Sequence, residues 1–206
     1  MTSIRLVTIS ATYGAGGSVV APALASRLGV PFVDRLVVPS AVHQLSEGLS
    51  EDEREAGWLP RLIAAAARLP PVIGVSLPPP PDGLTEEERF RVENERLVCH
   101  LLESGGGVVL GRGAAAFLGR APGCFHVRLD GPRDARVAQA ARIEKISEDE
   151  ARRRQAETDR TRALYVRRFY DRDNAGPALY HLLMDSTTVP LDGCVDLIAA
   201  AVALVP

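Results

Sequence analysis

Residues 10–18 read Ser10-Ala-Thr-Tyr-Gly14-Ala-Gly16-Gly17-Ser18. Closely spaced glycines let successive backbone N–H groups converge on one point, and a hydroxyl beside them can ligate a cation. That is chemistry for holding a phosphate rather than for nucleophilic attack. The stretch lines up with the phosphate-loop pattern GxxxxGK[ST]: Ala11 stands at the first glycine, Gly16 at the second, Gly17 at the lysine and Ser18 at the hydroxyl. A backbone anion nest survives these changes, but the point charge that the lysine brings does not. The same residues also suit an ordinary glycine-rich turn between a strand and a helix.

Replacement cations are few in kind. The 24 basic residues include one lysine, Lys145, and the rest are arginine. Arg112, in Gly111-Arg112-Gly113, follows a second apolar run and opens a second helix, so parallel strands would bring it to the same sheet edge as Gly14–Ser18. It reads as an anion ligand or as half of a structural ion pair. Asp34 falls at the carboxyl end of a short strand and reads as a ligand contact or as a helix cap. The cysteines Cys99, Cys124 and Cys194 are far apart, and no His/Cys spacing suits a metal, so buried free thiols are expected. No G-x-S-x-G elbow occurs, and there is no evident Ser/His/Asp set.

The elements that must position these residues alternate. Strands are expected at 4–9, 30–33, 107–110, 124–129 and 180–184. Helices are expected at 19–28, 36–45, 58–69, 85–103, 114–118, from 133 to Ile143, 147–170 and 191–204. Thr85/Glu88 and Ser147/Glu150 have capping-box spacing. Pro22 predicts a kink in the first helix or a later start for it. Pro70–Pro71 and Pro78–Pro81 mark a connector of polyproline character, with an SH3-type ligand role a weaker reading. Alternating strands and helices give an α/β fold with a parallel sheet covered on both faces.

The ordered motifs resemble the cytidylate kinase-like family of P-loop nucleotide kinases. They are Val7-Thr-Ile-Ser through Ala21, Pro31-Phe-Val-Asp34, Val108-Val-Leu-Gly-Arg112-Gly-Ala114 and Arg162-Ala-Leu-Tyr165 through Phe169-Tyr170. True cytidylate kinases share the late Asp185-Ser-Thr-Thr188 and the lid motif Asp159-Arg160-Thr-Arg162. The resemblance implies a P-loop nucleotide kinase fold: one domain over 1–206 with a parallel five-stranded sheet, an acceptor-side helical insertion near 36–104 and a helical lid near 144–172. It implies that Gly14, Ala15, Gly16, Gly17, Ser18 and Val19 cradle the phosphates of ATP, with the Ser18 hydroxyl on Mg²⁺. Arg112 would hold the acceptor's phosphate with Asp34 nearby, and Asp159, Arg160 and Arg162 would act from the lid. The departures are Gly17 for the lysine of true cytidylate kinases, Ala11 and Ser18 for the arginines common in the cytidylate kinase-like family, Gly113 for the aspartate of true cytidylate kinases, and His181 in place of the aspartate of the like-family's Y-D-L motif.

The expected reaction is transfer of the ATP γ-phosphoryl group to a nucleoside monophosphate, CMP or dCMP before others. The alternative is a catalytically weak or inactive nucleotide-binding protein with a sensing or interaction role. A net charge of −2 gives no sign of a nucleic-acid polymer or anionic membrane as partner. The N-terminus lacks the pattern of a signal peptide, and the Ala-rich stretch 197–205 is too short to span a bilayer, so a cytoplasmic location is expected. A homodimer stays open.

Overall fold

The computed structural model describes residues 4–34, 81, 83, 84 and 86–205. The expected helices at 36–45 and 58–69, the Pro-rich connector up to Pro80 and Thr85 of the first capping box lie outside the described residues. Within them the elements run β1 (Leu6–Ala11), α1 (Gly17–Leu28), β2 (Phe32–Val33), α2 (Glu86–Glu103), β3 (Gly107–Leu110), α3 (Ala114–Leu118), β4 (Cys124–Asp130), α4 (Arg133–Glu144), α5 (Glu148–Tyr170), a 3₁₀ turn (Pro177–Leu179), β5 (Leu182–Asp185) and α6 (Leu191–Leu204).

The five strands form one parallel sheet in the order β2-β3-β1-β4-β5. Both faces are covered, so alternate residues of β1 serve opposite cores. Val7 and Ile9 pack with Val20 and Leu24 of α1 and Ile198 of α6. Leu6 packs with Val109 and with Leu97, Val98 and Leu101 of α2. Because β1 lies between β3 and β4, the loop after β1 opens at the point where successive connections diverge, the place where open α/β sheets hold ligands.

Two boundaries differ from the sequence reading, for local reasons. β5 begins at Leu182 rather than Tyr180, because the Tyr180 amide closes the 3₁₀ turn on the Pro177 carbonyl and its hydroxyl bonds Asn174. α1 begins at Gly17, earlier than expected, and runs through Pro22 without ending there. At the start of α5, Ser147 Oγ accepts from the Glu150 amide at 3.2 Å. The Glu150 carboxylate turns instead to Arg153 and Arg154, so one half of the expected capping box forms.

Candidate phosphate-binding site

Gly16 caps α1 in the left-handed region at φ 72° with no side-chain cap. The amides of Gly14, Gly16, Gly17 and Ser18 have no backbone partner among the described residues. Those of Gly16, Gly17 and Ser18 are the first donors of a helix N-terminus, where an anion is favoured, and Gly14 lies just ahead of them. The Ala15 amide is engaged with the Thr12 carbonyl at 3.1 Å and the Val19 amide with the Gly16 carbonyl at 2.9 Å. These two expected phosphate donors therefore serve the loop itself in this conformation.

The loop's carbonyls are held by side chains of distant elements. Arg162 Nη1 donates to the Ala11 carbonyl at 2.6 Å, and Arg136 Nη1 to that of Tyr13 at 2.7 Å. Gln139 Nε2 donates to the Gly14 carbonyl at 2.9 Å, and Ser186 Oγ to that of Ala15 at 2.8 Å. Tying the Tyr13 and Ala15 carbonyls fixes their peptide planes, so the Gly14 and Gly16 amides on the opposite side of those planes are aimed before any ligand arrives. Such preorganisation avoids reorienting dipoles when charge is bound.

Helix α5 docks on this loop. Asp159 Oδ1 accepts from the Tyr13 amide at 2.7 Å, and Asp159 Oδ2 pairs with Arg136 Nη1 at 2.7 Å. The Tyr13 hydroxyl donates to Glu144 Oε2 at 2.8 Å, and Arg154 reaches the same oxygen at 2.9 Å. Burial and the Glu144 carboxylate push the Tyr13 phenol well above its ordinary pKa, so it stays a donor. Of the expected lid set, Asp159 and Arg162 therefore touch the loop, whereas Arg160 is exposed.

Arg112 follows β3, whose Leu110 pairs with Ile9 of β1, so it emerges at the same sheet edge as the loop. It is absent from the residues lining the loop's cavity. Its backbone is left-handed at φ 68°, a conformation that costs a side-chain-bearing residue about 1–3 kcal/mol and gathers at functional sites. Nη1 bonds Asn94 Oδ1, and Nε donates to the Asp34 carbonyl at 3.2 Å. Arg112 and Asp34, named separately from the sequence, are thus brought together. Gly113 beside them has no room for a side chain, since a Cβ there would lie 2.6 Å from Tyr170 Cε2 and 3.3 Å from Tyr165 Cε1. Phe169 and Phe117 extend this aromatic wall.

Two cavities adjoin the loop. A small one of about 70 Å³ is lined by the loop itself with Ala140, Ile143, Glu144 and Arg162. A larger one of about 470 Å³ lies between α4 and the turn before α6, lined by Gln139, Arg142, Thr187, Thr188, Pro190 and Leu191 among others. Among the described residues no group of three or more His, Cys, Asp or Glu side chains could hold a metal alone. Mg²⁺ that arrives with a nucleotide needs little from protein beyond one or two oxygens. The Ser18 hydroxyl, lining the small cavity on the first turn of α1, fits that need.

Arg136, Gln139 and Ser186 are site residues that sequence reasoning missed. Each reaches the loop from 123 or more residues away in the chain, and none carries a local motif except Ser186, inside Asp185-Ser-Thr-Thr188.

A family model described as the cytidylate kinase-like family matches residues 6–188. A comparison with curated protein sequences finds no match. Among solved structures, an uncharacterized protein from Eubacterium ventriosum superposes with a TM-score of 0.65 at 16% identity, covering 98% of this chain and 99% of that one. A gluconokinase from Sinorhizobium meliloti gives 0.50 at 19% identity, covering 98% and 94%. A sugar kinase from Janibacter sp. HTCC2649 gives 0.50 at 15%, covering 98% and 96%. At such identities these likenesses speak for the fold, an α/β nucleotide-kinase architecture with a parallel five-stranded sheet. Among the described residues no helix is long and apolar enough to cross a membrane.

Proposed function

We propose a phosphotransferase, and the premise is membership: the chain belongs to the cytidylate kinase-like family. The proposed reaction moves the γ-phosphoryl group of ATP to a nucleoside monophosphate, with CMP and dCMP as the first acceptors to try. An oxygen of the acceptor's phosphate attacks the γ-phosphorus, the bond to the β–γ bridging oxygen breaks, and ADP leaves. The monophosphate dianion has no proton to give up, so positioning and charge carry the step rather than a general base.

The observation that carries this reading is the loop whose carbonyls are held by Arg162, Arg136, Gln139 and Ser186, with Gly14, Gly16, Gly17 and Ser18, whose amides have no backbone partner among the described residues, lining one cavity. In this reading the donor's phosphates occupy the nest, and its nucleoside lies in the adjoining cavity between Gln139, Arg142, Thr188 and Leu191. The Ser18 hydroxyl would hold Mg²⁺, which when bound would supply positive charge to the donor's phosphates. Arg112, outside the donor cavity and held by Asn94 and the Asp34 carbonyl, takes the acceptor's phosphate. α5 covers the loop and keeps water from competing as acceptor.

A second reading is favoured by one feature: Gly17 supplies no cation. It is a nucleotide-binding protein with little or no transfer. Incubation with ATP-Mg²⁺ and a panel of nucleoside monophosphates, with chromatographic separation, decides between the two. Diphosphate product that Arg112→Ala abolishes while ATP binding persists supports the kinase. ATP binding with no product from any acceptor supports the second reading, and no ATP binding at all removes both.

A further inference from the structure

We infer that Arg162 stands in for the missing loop lysine and that Ala11 is what keeps the lysine out. This rests on the phosphotransferase reading and deepens it. A Cβ built on Gly17 would lie 2.6 Å from Ala11 Cβ and 3.1 Å from Leu110 Cδ1. The Ala11 methyl is fixed to the last residue of β1, paired with Leu129 of β4, so it cannot swing aside as the tip of a long side chain would. Any side chain at position 17 is therefore excluded while position 11 carries a methyl group. The chain departs from the phosphate-loop pattern at both positions, and the geometry joins the departures into one exchange: alanine in, lysine out.

The charge returns from another element. Arg162 Nη1 donates to the carbonyl of the same Ala11 at 2.6 Å, and Arg162 lines the small cavity together with Gly14, Gly16, Gly17 and Ser18. Asp159, three residues earlier and so on the same helix face, bonds the Tyr13 amide. Arg160, two residues from Arg162 and on another face, is exposed. The register of α5 thus delivers one carboxylate to the loop's outer backbone and one guanidinium to its mouth.

The consequence is functional. A lysine within the loop is present whatever the rest of the protein does, whereas Arg162 is present only while α5 is docked. Phosphate affinity and docking of α5 are then a single equilibrium. Phosphate bound in the nest holds α5 down, and loosening α5 removes the cation.

The test is titration of the full chain with inorganic tripolyphosphate, followed by calorimetry, alongside the melting temperature of each unliganded variant. Arg162→Gln keeps a donor for the Ala11 carbonyl and removes the charge. Its affinity is expected to fall by at least about tenfold, the counterpart of about 1.4 kcal/mol, and the dependence on salt to weaken. Adding Ala11→Gly and Gly17→Lys together to Arg162→Gln is expected to restore binding, whereas Gly17→Lys alone lowers the melting temperature without tightening binding. Parent-like affinity in a folded Arg162→Gln overturns the inference. Should that variant fold poorly, Ala11→Gly/Gly17→Lys with Arg162 retained decides: tighter binding supports the exchange, and unchanged binding in a folded chain overturns it. Failure of the parent to bind either tripolyphosphate or ATP-Mg²⁺ is a different outcome, because it removes the phosphotransferase reading itself.

Discussion

The backbone amide of Tyr13 donates to the carboxylate of Asp159 at 2.7 Å, so α5 is bonded to the main chain of the phosphate loop. The second oxygen of Asp159 meets Arg136 Nη1, which also donates to the Tyr13 carbonyl. Arg136 and Asp159 together grip the backbone of Tyr13 through both its amide and its carbonyl, with Arg136 only 8% exposed.

Asp159→Ala removes the acceptor and the counter-charge at once and is expected to cost about 1–3 kcal/mol. Asp159→Asn keeps an acceptor for the Tyr13 amide and is expected to cost less. Urea midpoints measure both, and hydrogen exchange at Tyr13 separates them, rising much more in the alanine variant. Equal loss from the two would assign the hold to the ion pair alone.

A second prediction concerns acid. His126 is fully buried, with Nε2 2.7 Å from the Gly119 carbonyl and Nδ1 2.7 Å from Thr8 Oγ1. A carbonyl only accepts, so Nε2 carries the hydrogen and Nδ1 accepts from Thr8. Burial pulls the imidazole pKa down to about 4, against the opposing pull of the Gly119 bond. The unfolded chain therefore takes up a proton near pH 6.5 that the folded one refuses until about pH 4. Stability from the neutral ring is complete above about pH 6.5 and drains away as pH falls toward 4, by on the order of 3 kcal/mol. His181, stacked on His126 and lowered by its own burial, acts in the same direction. Urea unfolding at several pH values should show this slope, and His126→Gln should flatten it. A parent curve that is flat between pH 6.5 and 4.5 would rule out the buried neutral ring.

Ser186→Ala tests whether the loop is preshaped. The Ser186 hydroxyl lies 2.8 Å from the Ala15 carbonyl and 3.2 Å from that of Asp130, and the residue is 1% exposed. Its loss leaves a buried carbonyl without its donor, at about 1–3 kcal/mol. If the tied carbonyls aim the amides, the thermal shift that tripolyphosphate produces shrinks as well. An undiminished shift on a lower baseline would make Ser186 a packing residue only.

The local parts of this architecture were legible in the sequence. The α6 range follows from apolar spacing between Pro190 and the chain's end, and it matches the structure residue for residue. The glycine loop was legible because Gly14 and Gly16 stand where the backbone goes left-handed. What holds the loop was not. Arg136, Gln139 and Ser186 act through contacts made only when β4 and β5 come to lie beside and beyond β1. The absence of lysine at position 17 was plain, but the Ala11 methyl in its place is a fact of three dimensions. Arg112 and Asp34 were each named for lying at a strand's end, and β2-β3 pairing is what joins them.

Gly113 carries the last prediction, on acceptor choice. True cytidylate kinases, which the chain resembles, have an aspartate there, so Gly113→Asp looks like a route to stronger CMP selectivity. The structure predicts failure. A Cβ on Gly113 would meet Tyr170 Cε2 at 2.6 Å, with φ at +65° adding backbone strain. Tyr170 is itself wedged against Tyr165 and Phe117, and overpacking of this kind costs about 1–3 kcal/mol. Gly113→Asp alone should therefore lower the melting temperature and leave the KM for CMP no better. Gly113→Asp with Tyr170→Ala opens the space, and the double variant should lose less stability than the two single losses added together. If the double variant then gains CMP turnover over other monophosphates, the aromatic wall is what sets acceptor choice. If Gly113→Asp alone is as stable as the parent, Tyr170 yields easily and the wall sets nothing.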